Sequence, residues 1–377
     1  MIGGGPGAFI GAIHRHAAAL DGLYDLTAGA FSADAGKSRA MGEELGLAAG
    51  RVYGSYGELI KQERQLPAEE RVQVISIVTP NHLHFEPARL ALENGFHVIL
   101  DKPMTFSLQE AKALREVAAG SGCLLCLTHT YTGYPMIKEA RELVAAGTLG
   151  PLRKAYVEYP QGWLSRSEEN SGSKQAAWRT DPARSGAAGA MGDIGTHAFN
   201  LLEYVTGLPV TRLCADLNTV VPGRQLDDDG AVLLRLSNGA SAVLTATQIA
   251  AGEENNLRLR VYGELGGLEW QQADANTLQV KWLDRPTEIR RAGTGYLGAL
   301  ARHNARTPAG HPEGYLEAFA NIYRNFALTL QARATGQPAP PEALDFPGLE
   351  EGVRGMAFIE TVLASARSEQ KWTELTV

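Results

Sequence analysis

The fold of this chain is best deduced from one stretch, Phe96-His97-Val98-Ile99-Leu100-Asp101-Lys102-Pro103. The apolar run that ends at Leu100 has the length of a short buried strand, and Pro103 stops that strand because proline cannot donate to a sheet ladder. In an open α/β sheet, ligands bind just beyond the carboxyl ends of the strands. The stretch therefore predicts that Lys102 lies at the mouth of a cofactor crevice, although an exposed lysine on a turn is the simpler interpretation.

Short apolar runs alternate with helical segments on both sides of this stretch. Strands are predicted over 26–31, 72–78, 96–100 and 123–128, and helices over 12–20, 35–47, 81–94 and 107–119. Strands and helices that alternate at this spacing form a doubly wound parallel sheet. Residues 1–129 are therefore predicted to form a doubly wound α/β domain of the Rossmann type.

The chain opens with a glycine-rich segment, Met1-Ile2-Gly3-Gly4-Gly5-Pro6-Gly7-Ala8-Phe9-Ile10-Gly11. Such glycines let a backbone turn tightly and approach a phosphate at the amino end of the following helix. The spacing begins as Gly3-x-Gly5, but the third glycine fits best at Gly11, which lengthens the loop. Only Met1 and Ile2 remain for the preceding strand, so we expect either a very short first strand or a reading frame that begins upstream.

The end of the strand predicted over 26–31 bears on the choice of cofactor. An acidic residue at this point would hold the ribose 2′-hydroxyl of NAD. Ser32 occupies the expected position instead, with Lys37 and Arg39 downstream, and this combination suits a 2′-phosphate and slightly favours NADP. The alternatives are that Asp34 supplies the carboxylate, or that both cations belong to a solvated helix face.

Composition excludes several classes of function. The net charge, 35 − 42 = −7, offers no basic surface for nucleic acid or an anionic membrane. Cys123 and Cys126 have CxxC spacing but lie in a predicted buried strand, and no second pair completes a metal site. No apolar run approaches the length of a membrane span, and the amino terminus lacks the layout of a signal peptide. We expect a cytoplasmic protein with no metal, nucleic-acid or membrane partner.

The second half of the chain has a different pattern. A helix is predicted over 136–146, with Lys138, Glu139, Arg141 and Glu142 on a solvated face, and a strand is predicted over 152–159. Period-two alternation follows from 210 to 283, as at Leu257, Leu259 and Val261. Such alternation predicts a large, mainly antiparallel open sheet in an α+β domain over 130–377. The helices over 315–332 and 349–366 are free to pack back on the first domain. A free sheet face predicts a homodimer or homotetramer.

Two irregular stretches, 160–192 and 291–312, are long enough to be functional. The first carries Trp163, Trp178 and Arg179, and its aromatic rings suit stacking on the apolar face of a sugar; the alternative is that they anchor the loop. A separate carboxylate run, Asp227-Asp228-Asp229, has residues that glycosidases use in pairs. A turn before a strand explains that run more simply.

The segment Gly192-Asp193-Ile194-Gly195-Thr196-His197 carries the strongest chemical signal of the second half. A helix is predicted over 194–205, and the i, i+4 spacing puts Asp193 and His197 on one face. A carboxylate beside an imidazole tunes it as a general acid or base. The alternatives are that Asp193 is a helix N-cap and that His197 is a packed helix residue.

These motifs together resemble the Gfo/Idh/MocA family, named for glucose–fructose oxidoreductase, inositol 2-dehydrogenase and MocA. The resemblance covers nearly the whole chain and rests on four motifs in order, the third having Asp where the family has Glu. They are the opening that ends Gly11-Ala12-Ile13-His14, then Thr79-Pro80-Asn81-x-x-His84, Asp101-Lys102-Pro103, and Gly192-Asp193-x-x-x-His197.

The resemblance implies an NAD(P)-dependent dehydrogenase or reductase that acts on CH–OH groups of a sugar, cyclitol or related polyol. It implies that Lys102 binds the reacting oxygen, that His197 is the general acid/base, and that Asp193 orients His197 or holds a substrate hydroxyl. Implied cofactor contacts are Gly3, Gly5, Gly7, Phe9, Ile10, Ser32, Lys37, Arg39, Thr79, Pro80, Asn81, His84, Asp101 and Lys102. Implied substrate contacts are Tyr131, Tyr134, Trp163, Trp178, Arg179, Asp193, His197 and His311.

Two other functions fit the same motifs. One is a regulator that binds NAD(P) without turnover, against which the joint presence of Lys102, Asp193 and His197 argues. The other is glycoside cleavage through transient oxidation by a tightly bound NAD.

Overall fold

The computed structural model describes all 377 residues, which divide into two compact units. The first unit comprises Met1–His129 and Phe319–Val353, and the second comprises Thr130–Ala318 and Arg354–Val377. No helix in the chain combines the length and the apolar character needed to cross a membrane.

The first unit is built on a parallel sheet with strand order β1-β2-β3-β4. The strands are β1 (Ile2–Gly3), β2 (Val74–Val78), β3 (His97–Leu100) and β4 (Leu125–Leu127). The helices between them are α1 (Phe9–Leu20), α2 (Ala35–Glu44), α3 (Tyr56–Gln65), α4 (Phe85–Glu93) and α5 (Leu108–Ser121). The Rossmann fold predicted for this part of the chain is confirmed.

The strand predicted over 26–31 is wrong as a continuous element. Only two isolated parallel bridges form there, Ile2 to Ala30 and Gly29 to Val52. The physical reason is that β1 has only two residues, so a ladder beside it has no partner along which to extend. The bridges nevertheless place Ala30 on one side of β1 while β2 lies on the other, and the strand order therefore reverses at β1. Ligands bind at such a reversal in open α/β sheets.

The second unit is built on a nine-stranded sheet with the order β12-β11-β10-β9-β5-β8-β7-β6-β13. Every neighbouring pair is antiparallel except β5 and β8, which run in parallel, so the prediction of a large, mainly antiparallel sheet is confirmed. Its strands are β5 (Leu152–Pro160), β6 (Val210–Asn218), β7 (Asp229–Leu236), β8 (Ser241–Thr247), β9 (Arg258–Gly263), β10 (Gly266–Gln271), β11 (Thr277–Trp282), β12 (Glu288–Arg291) and β13 (Thr373–Glu374).

Helices cover one face of this sheet and bury its apolar residues. Leu259 and Val261 of β9 are fully buried, as the alternation predicts. The remaining helices are α6 (Pro135–Ala145), α7 (Lys174–Arg179), α8 (Pro182–Ser185), α9 (Thr196–Thr206), α10 (Ala299–His303), α11 (Tyr315–Ala334) and α12 (Leu349–Ala366). Of these, α9 packs on β5, β8 and β9, and α6 packs on β10 and β11.

The predicted solvated face of the helix over 136–146 is wrong. Lys138 and Glu139 are each only 1% exposed. The Lys138 ammonium lies 5.0 Å from the centre of the Tyr204 ring, and the Glu139 carboxylate accepts from Arg290 at 2.6 Å and from the Gly298 N–H at 2.8 Å. Buried charges require such partners, and these partners come from segments distant in sequence.

A buried histidine in α1 makes the stability of the first unit dependent on pH. His14 Nδ1 lies 2.7 Å from the Tyr323 hydroxyl, and burial lowers the pKa of His14 to about 4. The folded state keeps this ring neutral, whereas the unfolded chain binds a proton below its ordinary pKa of 6.5. The contribution of neutral His14 to stability is fully present above pH 6.5 and is lost as the pH falls from 6.5 toward about 4.

We predict that the free energy of unfolding falls by about 3 kcal/mol through His14 alone between about pH 7 and about pH 4. Urea unfolding across this range should show a shallower pH slope for His14→Gln than for the unchanged protein. His16→Gln, on the exposed side of the same helix, is the control and should keep the original slope. An unchanged slope in His14→Gln would contradict the prediction.

Candidate active site

The glycine-rich loop of the first unit requires its glycines. Gly3, Gly4 and Gly7 have φ angles of 84°, 73° and 76°, a region that residues with a Cβ rarely adopt. A Cβ on Gly11 would lie 2.4 Å from the Gly4 Cα, so the loop and the helix touch through backbone atoms. Helix α1 begins at Phe9, earlier than the predicted residue 12, and Gly11 therefore lies inside its first turn.

The amino end of α1 fits a dinucleotide. Its N-cap residue, Ala8, makes no side-chain capping bond, and no acidic side chain lies in the first turn. The N–H groups of a helix's first turn have no partners within the helix, and together with the helix dipole they favour an anion. The pyrophosphate of a nicotinamide dinucleotide is such an anion. Phe9, in that turn, is 62% exposed.

The residues expected to select the cofactor lie at the start of α2. Ser32 Oγ accepts from the Asp34 N–H at 3.2 Å, and Asp34 caps the helix by accepting from the Lys37 N–H at 3.0 Å. Lys37 and Arg39 are exposed. Asp34 thus uses one carboxylate oxygen as a helix cap, and its side chain is exposed like those of Lys37 and Arg39.

His84 connects the loops that follow β2 and β3. Its ring is buried, with Nδ1 2.7 Å from the Pro103 carbonyl and Nε2 2.8 Å from the Thr79 carbonyl, and burial lowers its pKa. The helix predicted over 81–94 is divided: Asn81–Leu83, directly after Pro80, is a 3-10 turn, and α4 begins at Phe85. His84 thus fixes the spacing of two loops at the carboxyl edge of the sheet.

Asp101 fixes the backbone beside Lys102. One carboxylate oxygen of Asp101 accepts from the Lys102 N–H at 2.9 Å and from the Thr128 hydroxyl at 2.9 Å, which ties β3 to the end of β4. The Lys102–Pro103 peptide is cis. His129 is buried next to this anchor, and burial, followed by the charge of Lys102, lowers the pKa of His129 to about 3.

In the second unit, Asp193 and His197 lie on a helix that begins irregularly. Met191–Gly195 is a π turn, and α9 follows at Thr196, so the regular helix predicted over 194–205 is corrected at its start. Gly195 occupies the N-cap position of α9 without a side-chain cap, which removes the interpretation of Asp193 as the N-cap. From 191 to 202, only Asp193 and His197 are not buried. Turns of this kind occur frequently at functional sites.

Two donors hold the Asp193 carboxylate. Oδ2 of Asp193 accepts from Arg179 Nε at 3.2 Å and from Gln248 Nε2 at 3.0 Å. The Arg179 guanidinium lies 4.4 Å from the Trp178 ring centre and 5.9 Å from that of Trp163. A cation stacked on aromatic rings is held in one orientation, which orients the carboxylate in turn.

Tyrosines and amides form the environment of His197. The Tyr131 ring meets the His197 ring edge to face, with centres 4.9 Å apart. The Tyr131 hydroxyl is hydrogen-bonded to that of Tyr159, which donates to Asn255 Oδ1 at 2.7 Å. Burial raises the pKa of both tyrosines, so their hydroxyls stay protonated at neutral pH.

Side chains that were not predicted complete this cluster. Gln161 accepts from Trp163 Nε1 at 3.0 Å and from Gln248 at 3.4 Å, and its own amide donates to Asn255 at 2.5 Å. Gln161 and Gln248 each follow the end of a strand, and that position is the only signal in the sequence. We define the polar cluster as Tyr131, Tyr159, Gln161, Trp163, Arg179, Asp193, His197, Gln248 and Asn255.

Two predicted substrate residues have other surroundings. Tyr134 is 2% exposed and packs on Trp270, with ring centres 5.3 Å apart, and on Tyr131. His311 lies in an exposed turn, with Nδ1 3.3 Å from the Pro308 carbonyl, and the structure does not bring it into the polar cluster.

Comparison with known proteins agrees with both units. A family model described as "Oxidoreductase family, NAD-binding Rossmann fold" matches residues 1–129. A second model, described as "GFO/IDH/MocA C-terminal domain", matches residues 137–269.

Relatives match over nearly the full length. The uncharacterized oxidoreductase YfiI of Bacillus subtilis (strain 168) is 31% identical over 377 residues, covering 99% of this chain and 95% of the relative. A solved oxidoreductase from Sinorhizobium meliloti is 42% identical, with a TM-score of 0.89 over 99% of this chain and 98% of that one. An inositol dehydrogenase homologue from Azotobacter vinelandii, solved with NADH and myo-inositol, is 33% identical, with a TM-score of 0.91 over 99% of this chain and 96% of that one.

The glycine loop, the uncapped α1 terminus and these matches agree on the cofactor class and the chemistry. The chain belongs to the GFO/IDH/MocA family and is a nicotinamide-dependent oxidoreductase that transfers hydride to or from a carbon bearing a hydroxyl or carbonyl group.

Proposed function

We propose that the substrate is a neutral polyol, a cyclitol or a sugar, and that Lys102, Asp193 and His197 carry the reaction. The polar cluster supports this most directly. Its amides and hydroxyls offer both donors and acceptors, as the hydroxyls of a polyol require. Within the polar cluster, the charge of Arg179 is matched by that of Asp193 at 3.2 Å, and the charge of Lys102 is assigned to the reacting oxygen, so no further charge favours an ionic substrate. The Azotobacter vinelandii relative was solved with myo-inositol.

Each catalytic side chain has a separate role in this proposal. His197 removes the hydroxyl proton in oxidation and returns it in reduction. Lys102 donates to the reacting oxygen and stabilises the negative charge that develops there. Asp193, oriented by Arg179 and Gln248, holds a substrate hydroxyl or the protonated form of His197. The bound nicotinamide supplies the hydride acceptor or donor.

We predict that Lys102→Ala and His197→Ala each lower kcat/KM by about 100-fold or more, since one oxyanion donor or one general base contributes a factor of this size. The assay is absorbance at the reduced-nicotinamide band with a panel of sugars, inositols and their keto forms. Lys61→Ala and His16→Ala, both at exposed positions, are matched controls and should retain activity. Unchanged activity in either active-site variant would refute its assigned role.

We propose that NADP binds at least as well as NAD, because Ser32, Lys37 and Arg39 suit a 2′-phosphate. Fluorescence titration should give a Kd for NADPH no greater than that for NADH. Ser32→Asp should weaken NADPH by about 10-fold or more relative to NADH, because a carboxylate repels the phosphate and accepts from a ribose hydroxyl. A strong NADH preference in the unchanged protein would contradict the proposal.

We propose that the chain assembles as a homodimer or homotetramer through the outer face of the nine-stranded sheet. Tyr156, Val243 and Leu233 stand opposite one another on three adjacent strands, and Leu233 is 45% exposed. Leu233→Glu should lower the mass measured by size-exclusion chromatography with light scattering. Leu283→Glu, at a position 82% exposed, is the control and should leave the mass unchanged. A monomeric unchanged protein would rule out the assembly.

A further inference from the structure

The carboxylate run Asp227-Asp228-Asp229 has no part in the reaction described above. Asp229 opens β7, but Asp227 and Asp228 precede the strand and turn their carboxylates to different segments of the second unit. Each of these two side chains accepts from two backbone N–H groups. The turn before a strand that was predicted from the sequence does not explain these hydrogen bonds to other segments of the chain.

Asp227 holds the turn that leads to Asp193 and His197. Its two carboxylate oxygens accept from the Gly189 N–H at 2.6 Å and the Met191 N–H at 2.8 Å. Its carbonyl accepts from the Ala190 N–H at 2.8 Å. Three consecutive N–H groups are therefore bound by one residue, directly before the π turn. Gly189 is required there, because a Cβ would lie 2.1 Å from the Asp227 carbonyl oxygen.

The geometry of the π turn depends on this anchor. The Asp193 N–H donates to the Gly189 carbonyl at 2.9 Å, so the peptide held by Asp227 also begins the turn that carries Asp193. A π turn adds one residue to a helical turn and rotates every side chain after it. Releasing residues 189–191 would allow the turn to relax and would displace Asp193 and His197 together.

Asp228 holds a different segment. Its carboxylate accepts from the N–H groups of Val220 and Val221 at 2.8 and 2.9 Å, and from Arg224 at 3.3 Å. The Arg224 side chain is 2% exposed; it donates to Glu169 at 3.1 Å and to the Arg166 carbonyl at 2.7 Å. Asp228 therefore acts through Arg224 on the segment that follows Trp163 of the polar cluster.

We propose that Asp227 and Asp228 are positioning residues with separate effects, and this inference rests on the proposed function. Asp227 sets the geometry of Asp193 and His197 and therefore governs kcat. Asp228 and Arg224 set the segment 163–170 and therefore govern KM for the polyol. Neighbouring carboxylates thus divide the control of the chemical step and of substrate binding.

The test compares Asp227→Asn with Asp228→Asn in the full chain. Asp227→Asn should lower kcat by about 100-fold, since a displacement near 1 Å costs this much, and should change KM by less than about 3-fold. Asp228→Asn should raise KM by about 10-fold and change kcat by less than about 3-fold, and Arg224→Met should reproduce its effect. Asp216→Asn, exposed on β6, is the matched control for removing one carboxylate.

Amide hydrogen exchange supplies a readout that does not need turnover. Exchange should rise in 186–200 for Asp227→Asn, and in 163–172 and 219–225 for Asp228→Asn and Arg224→Met. If the unchanged protein turns over no polyol, the proposed function fails, while the exchange pattern still tests the two anchors. If Asp227→Asn does not fold, Asp227→Ser, which keeps one acceptor, takes its place. The proposal would be overturned if kcat and KM changed together in both Asp227→Asn and Asp228→Asn. It would also be overturned if either variant raised exchange in the segments assigned to both carboxylates.

Discussion

At the centre of the nine-stranded sheet, β5 and β8 run in parallel, with Pro160 opposite Thr247 at the same end. The residues that follow these strands, Gln161 and Gln248, are therefore neighbours, 3.4 Å apart through their amides. Gln248 then reaches Asp193, and Gln161 reaches Trp163 and Asn255. In an antiparallel pair the same two residues would lie at opposite ends of the strands, so this one parallel ladder assembles the polar cluster.

The candidate site of the first unit is formed by backbone N–H groups, whereas that of the second unit contains side-chain amides. The glycine loop and the uncapped end of α1 provide N–H groups for a dinucleotide, and His84 and Asp101 connect the ends of neighbouring strands. The Asp101 carboxylate accepts from the Lys102 N–H, and this hydrogen bond fixes the backbone from which the Lys102 side chain extends. His84 and Asp101 thus hold neighbouring segments in place, and this is also the role that we propose for Asp227 and Asp228.

Much of the fold followed from local pattern. The helix over 349–366 and the alternating strands of the second half were predicted closely, because burial of one face imposes a period on the sequence. The predictions were wrong where contacts with residues distant in the sequence determine the local structure. Lys138 and Glu139 have the composition of a solvated face, but Tyr204, Arg290 and Gly298 enclose them. The strand at 26–31 shortened to two bridges because its neighbour β1 has only two residues.

The sequence by itself determined the family and the cofactor class. It also indicated Lys102, Asp193 and His197 as candidate catalytic residues, since the glycines at strand ends, the lysine after a strand and the Asp193/His197 spacing are local signals. Tertiary structure alone decided which side chains surround Asp193 and His197. Tyr159, Gln161, Gln248 and Asn255 are unremarkable in sequence, and the pairing of β5 with β8 and the hydrogen bonds across it give them a shared role. The same holds for Asp227. Its carboxylate binds the N–H groups of Gly189 and Met191, which are distant in the chain, and no periodic sequence pattern predicts contacts between such distant residues.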